Sequence, residues 1–109
     1  MHTRKEQMEA FGRFLDILDE LREKCPWDRK PDQRKPAPQI PSEETYELCD
    51  ALIRDDKSDI CKELGDVLLH VAFYAKIGSE TGDFDMKDVC DRLCEKLIFR
   101  HPHVFGDVK

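Results

Sequence analysis

The sequence predicts an all-α domain, a bundle of four main helices. Apolar residues recur at three- and four-residue steps through most of the chain, and no run alternates in the period-two manner of a strand. Five of the six prolines fall within residues 26–41, so one connector takes nearly all the helix-breaking chemistry. At 109 residues the chain is the size of a single domain, 1–109.

The first helix is expected over Arg4–Lys24. Met8, Phe11, Phe14, Leu15, Leu18 and Leu21 mark its apolar face, and Cys25-Pro26 ends it. Residues 26–41 read as an irregular, proline-rich connector. Ser42 is then a good N-cap, with Glu43 and Glu44 in the first turn where the helix dipole favours anions. Tyr46, Cys49, Leu52 and Ile53 would form the buried stripe of this second helix. After a polar turn at 54–58, a third helix is expected over 59–77, with Ile60, Leu64, Val67, Leu68, Val71, Tyr74 and Ala75 turned inward. Gly78 and Gly82 punctuate the following loop, and Asp85 caps a fourth helix carrying Val89, Cys90, Leu93 and Leu97.

Composition narrows the function. Acidic residues outnumber basic ones 24 to 18, a net charge of −6. That balance disfavours a duplex-DNA binder, which neutralises phosphates with a basic face. The excess sits in one window: Ser42 to Asp66 holds nine acidic and three basic residues, while the other 84 balance at 15 against 15. The longest uncharged run, Val67 to Ala75, is nine residues, too short to span a bilayer. The N-terminus lacks an apolar signal core, and the five cysteines are odd in number without paired spacing, so reduced thiols in the cytoplasm are expected.

Within the acidic window, Glu44 and Glu47 lie three apart on the second helix, with Glu43 one turn from Glu47. Glu63 and Asp66 repeat that spacing on the third. If the two helices form an antiparallel hairpin about Asp56, residues equidistant from the turn lie level. Glu47 is nine before Asp56, and Glu63 and Asp66 are seven and ten after it. The two pairs then face each other. Such a cluster repels itself unless a divalent cation sits between the helices, and an all-oxygen set suits Mg²⁺, with Mn²⁺ as the alternative. An acidic i,i+3 pair is ordinarily a solvated surface feature; two such pairs at matching height strengthen the case for a site without displacing that reading. A di-iron bundle would need Glu-x-x-His, and His70 is one step out of place.

At these residues the chain resembles the MazG family of nucleoside triphosphate pyrophosphohydrolases. The hallmark E-E-x-x-E, spacer, E-x-x-D reads here as Glu43-Glu44-x-x-Glu47, fifteen residues, then Glu63-x-x-Asp66. The flanking blocks Leu21-Arg22-x-Lys24-Cys25-Pro26-Trp27-Asp28 and Arg100-His101-Pro102-His103-Val104-Phe105-Gly106-Asp107 are similar too. The resemblance implies an all-α NTP pyrophosphatase bundle that forms a homodimer. It implies Mg²⁺-dependent hydrolysis of a nucleoside triphosphate to the monophosphate and pyrophosphate. By position, Glu44, Glu47, Glu63 and Asp66 would be metal ligands, and Glu43 would either support those ligands from behind or help orient the attacking water. Lys96 and Arg100 match positions that contact substrate phosphates. The alternative is a catalytically weak helical dimerisation module that keeps the fold.

Trp27 is a candidate for stacking on a base, although a lone Trp after a helix is more often a packing anchor. Cys90, Cys94, His101 and His103 fit no ordinary zinc spacing, and Cys90 and Cys94 read as core. Two departures from the family stand out. Pro31–Ser42 replaces a Q-T-x-x-S-L-R-like segment. Permitted codons for Pro31–Gln39, read from their second base, give Q-T-N-E-S-L-R-P, which implies compensating single-base shifts. Family members also continue past the His-Pro-His-Val-Phe-Gly-Asp block, which implies a C-terminally truncated domain here.

Overall fold

The computed structural model describes residues 1–24 and 39–106, with the side chains of 39–44 not described. Trp27, the connector up to residue 38 and the Pro31–Ser42 departure, apart from the backbone of its last residues, lie outside what is described. Among the described residues there are five helices and no strand, as an all-α class requires. None is long and apolar enough to cross a membrane. The chain divides into two compact units, Met1–Tyr74 and Ala75–Lys109.

The first unit opens with α1, Arg4–Lys24, at the expected bounds. A capping box starts it: the Glu6 amide donates to Thr3 Oγ1 at 3.1 Å, and the Thr3 amide donates to Glu6 Oε1 at 2.8 Å. Leu18 is its buried anchor, with Phe11, Phe14 and Leu15 half-buried; Met8 and Leu21 are exposed. Arg22, one turn beyond Leu18, is buried as well, and its guanidinium lies 5.5 Å from the centroid of the Phe73 ring.

Helix α2, Gln39–Arg54, begins three residues before the expected cap at Ser42. Pro41 then occupies the third helical position, whose N–H would have no intrahelical acceptor in any case, so proline is tolerated there. The buried stripe also differs from expectation. Tyr46 is 77% and Ile53 84% exposed, and Cys49 and Leu52 are exposed too. The inward face is half-buried Leu48 with fully buried Ala51, a small residue that allows close approach of the neighbouring backbone.

The turn into α3, Lys57–Glu80, takes two residues. Asp55 adopts a left-handed conformation, φ 56°. Its amide donates to Leu52 O (3.1 Å) and the Asp56 amide to Ala51 O (3.3 Å), the two bonds of a Schellman cap. Asp56 at once N-caps α3, its Oδ1 accepting from the Asp59 amide at 3.1 Å. Arg54 ties the helix ends together, donating to Asp50 Oδ2 (3.0 Å) and to Asp59, with Asp56 at 3.6 Å. These carboxylates raise the Arg54 pKa further, the Asp59 hydrogen bond most.

On α3 the inward face runs Ile60, Glu63, Val67 and His70, at helical spacing. Leu64, Leu68 and Val71, expected inside, are exposed. The hairpin turn fixes which face of α3 meets α2, and it selects the stripe carrying Glu63 over the more apolar one.

In the second unit, α3 runs on through Gly78 to Glu80. Gly78, expected in a loop, lies inside the helix with the Phe84 ring against it; a Cβ there would sit 2.6 Å from that ring. Gly82, φ 73°, provides a second Schellman cap, with Gly82 N–H to Ser79 O (3.1 Å) and Asp83 N–H to Gly78 O (3.0 Å). Asp85 caps α4, Met86–Arg100, in a capping box with Asp88, as expected. No α4 residue is buried; Cys90, Cys94, Leu93 and Leu97 are exposed, against the core role expected of them. The apolar stripe is real, but no described element covers it. A short α5, Pro102–Phe105, follows with proline in its first turn.

The turn yields a prediction of opposite signs at neighbouring residues. Asp56→Ala removes an N-cap and should cost about 1 kcal/mol in urea unfolding. Asp55→Gly relieves the left-handed backbone and should stabilise by up to about 1 kcal/mol, since the exposed Lys57–Asp55 pair lost with it contributes little.

Candidate functional site

Helix α2 presents Glu47 and helix α3 presents Glu63 and Asp66. One carboxylate oxygen from each lies within 4.8 Å of the other two. The hairpin places them level, as the spacing from Asp56 requires. Among the described residues this is the group of three or more potential ligands that comes together; Cys90, Cys94, His101 and His103 form no such group. His101 Nδ1 instead lies 2.7 Å from Leu97 O.

The three carboxylates differ in surroundings. Glu47 is exposed, Asp66 half-buried, and Glu63 only 5% exposed. Glu63 Oε2 is buried with no hydrogen-bond partner, and the cation nearest Glu63 Oε1 is the solvated Lys62 at 3.6 Å. Burial pushes the Glu63 pKa up, and the neighbouring Glu47 and Asp66 carboxylates push the same way against Lys62. An exposed acidic cluster is common without any ligand. A buried carboxylate facing two others is costly, and such groups are normally paired or coordinate a metal.

The donor set fits a hard divalent cation. It is all carboxylate oxygen, with no His or Cys in it. Three carboxylate oxygens within 4.8 Å of one another are close enough that one such ion could be held by all three after small side-chain adjustments. The side chains of Glu43 and Glu44 lie outside those described, as does Trp27. Lys96 and Arg100 are exposed on α4, in the second unit. Periodicity did not single out Arg22 as buried, although its position one turn after Leu18 puts it on the inward face of α1. The Arg54 clamp was equally unmarked, whereas Thr3-x-x-Glu6 is a legible capping box.

Compared with known proteins, residues 38–105 match the MazG nucleotide pyrophosphohydrolase domain. The chain belongs to the MazG family. It is 45% identical over 103 residues to the nucleoside triphosphate pyrophosphohydrolase of Escherichia coli K12, covering 92% of this chain and 39% of that protein. It is 48% identical over 107 residues to the nucleoside triphosphate pyrophosphohydrolase/pyrophosphatase MazG of Thermotoga maritima, covering 94% and 41%. Similarity extends to the uncharacterized protein YabN of Bacillus subtilis, 45% over 101 residues, covering 91% and 20%. The chain thus spans about two fifths of the length of the first two relatives. The matched segment contains the whole E-E-x-x-E and E-x-x-D pattern.

The buried carboxylate should be visible in stability. A folded-state pKa raised above the ordinary carboxylate value means that the folded chain holds the Glu63 proton more tightly than the unfolded one. Its contribution is most favourable below that value and turns into a cost as pH rises through the folded pKa. Metal-free Glu63→Gln should therefore melt higher than the parent at pH 7. The difference should shrink as pH falls to 4, as thermal melts across that range would show.

Proposed function

We propose that the α2–α3 hairpin binds a divalent cation and that the chain hydrolyses nucleoside triphosphates to monophosphate and pyrophosphate. The observation that carries this reading is the buried Glu63 carboxylate, unpartnered at Oε2 and within 4.8 Å of Glu47 and Asp66. Membership of the MazG family and the names of its relatives in Escherichia coli and Thermotoga maritima supply the reaction class.

Glu47, Glu63 and Asp66 would hold Mg²⁺, or Mn²⁺ in its place, and Glu44 would be a fourth ligand by its position in the motif. When bound, the ion supplies charge neutralisation at the α-phosphate and on the leaving pyrophosphate. The chain's own contribution is placement. Glu63 is fixed by burial, Asp66 is one turn away on the same helix, and Glu47 is set opposite by the two-residue turn. Glu43 would orient the water whose oxygen bonds to the α-phosphorus as the α–β bridging bond breaks. Lys96 and Arg100 would bind phosphate oxygens, and Trp27 is the further substrate contact that the motif position suggests.

The proposed working unit is a homodimer of the single domain 1–109 acting in the cytoplasm on small nucleotides, with no membrane or duplex nucleic acid as partner. Support for association comes from the apolar residues left uncovered on the hairpin, including Tyr46, Ile53, Leu64 and Leu68.

Purified chain incubated with mixed nucleoside triphosphates and Mg²⁺ should release pyrophosphate and monophosphate in equal amounts, and chelation should stop the release. Removing a residue that merely supports a metal ligand costs about 10- to 100-fold, so Glu47→Ala should lower the rate by about 100-fold or more. Absence of pyrophosphate release, or a rate unchanged in Glu47→Ala, would favour the inactive dimerisation module instead.

A further inference from the structure

The second unit ends on two imidazoles that the carboxylate hairpin does not use. His101 sits at the junction where α4 ends and α5 begins, and His103 lies two residues on, inside α5. Their ring centroids are 5.8 Å apart, with the rings tilted by 54°. His101 is held from several sides. Its amide donates to Ile98 O at 3.3 Å, its carbonyl accepts from the Val104 and Phe105 amides at 3.0 and 3.1 Å, and its Nδ1 lies 2.7 Å from Leu97 O. A carbonyl oxygen can only accept, so Nδ1 carries the proton and the neutral ring keeps its lone pair at Nε2. Pro102 stands between the two histidines with its φ fixed by the ring, which limits how far they can separate. His103 is exposed and makes no hydrogen bond among the described residues, so its ring gives up nothing on turning.

We propose that His101 and His103 together bind a divalent transition ion of the Zn²⁺, Ni²⁺ or Cu²⁺ class, at a site that shares no ligand with the α2–α3 carboxylates. Neutral imidazole suits these ions, whereas Mg²⁺ prefers oxygen, so the two sites select by ligand chemistry. A metal-binding histidine normally donates its other N–H to a backbone carbonyl or a carboxylate. The hydrogen bond from His101 Nδ1 to Leu97 O is of that kind and is in place without an ion. The ring separation fits as well. With Zn–N about 2.1 Å, each centroid lies about 3.2 Å from the ion, so two rings on one ion have centroids about 4.5 to 6.4 Å apart. The observed 5.8 Å falls in that range. Two protein ligands are too few for a closed structural zinc centre, so water or a further ligand completes the shell. The C-terminal end of α4 favours a cation through the helix dipole. Arg100, next to His101, opposes it, but its side chain is exposed and long enough to point into water. An ion held by both rings clips the four-residue α5, too short to be stable as an isolated helix, onto the end of α4.

The chain has four histidines, His2, His70, His101 and His103, so ¹⁵N spectra of its imidazoles test the site in the intact protein. Before metal is added, His101 should show the tautomer protonated at Nδ1. Zn²⁺ added up to one equivalent in excess Mg²⁺ should shift His101 Nε2 and a His103 nitrogen together, leaving His2 and His70 in place. Thiols are the rival ligands for Zn²⁺, so a double variant, Cys90→Ser with Cys94→Ser, should keep both shifts. His103→Ala should lower Zn²⁺ affinity at His101 by about 10-fold or more, since even a residue that only supports a metal ligand costs that much. Its helix content by circular dichroism should match the parent's. Any of four results would overturn the proposal: His101 protonated at Nε2 instead, His101 and His103 unmoved or His2 or His70 moving in their place, loss of both shifts in the cysteine variant, or unchanged affinity in His103→Ala. Equal shifts with Mg²⁺ alone would also count against it, because an imidazole pair does not prefer that ion. The tautomer and the shifts are read on the parent protein, so a variant that failed to fold would not leave the proposal untested.

Discussion

The mutual repulsion of Glu47, Glu63 and Asp66 is the constraint around which the first unit is organised. Two unit charges about 4 Å apart repel by about 1 kcal/mol in water and about 4 kcal/mol near a protein surface. Here one of the three is withdrawn from water and lacks a hydrogen bond at Oε2. The hairpin therefore closes against an opposing force, and elements away from the cluster have to hold it shut. Arg54, bonded to Asp50 on its own helix and Asp59 on the next, is one of them. The packed Ala51 face is another.

The turn does more than join the helices. Each residue advances an α-helix by about 100°, so one residue added or lost between Arg54 and Lys57 would carry Glu63 to a different side of α3. The Schellman cap at Asp55 and the N-cap at Asp56 allow no slack, because each residue completes one helix end and Asp56 also begins the next. Register at the turn and register at the carboxylates are the same quantity measured at two places. That is why counting from Asp56 along the bare sequence already puts Glu47 level with Glu63 and Asp66, as the structure does.

The rest was less legible, for reasons that particular residues make plain. Helix periodicity located α1 and the Asp85 cap because both depend on local chemistry. It failed on burial in α2 and α3, where Tyr46, Ile53, Leu64 and Val71 are apolar yet exposed while Arg22 and Glu63 are charged yet buried. An apolar stripe states that a face can be covered, not that another part of the same chain covers it. Glu63 inverts the pattern because its helix face is chosen by the turn, and a buried acid is the kind of local inconsistency that marks functional sites. Ser42 misled in a simpler way: a good cap residue next to Pro41 looks like a helix start, but a first-turn proline lets the helix begin earlier.

Charge is also divided along the chain in a way that total charge hides. The net −6 is concentrated in the segment containing the hairpin, where the carboxylates repel a polyanion unless a cation intervenes. The C-terminal half of α4 carries its cations bare. Part of that arrangement follows from the helix itself, since basic residues near a C-terminus complement the dipole, as Arg100 does in the last turn. The dipole argument fades within a turn and does not reach Arg92, whose exposure reflects its place on an uncovered helix.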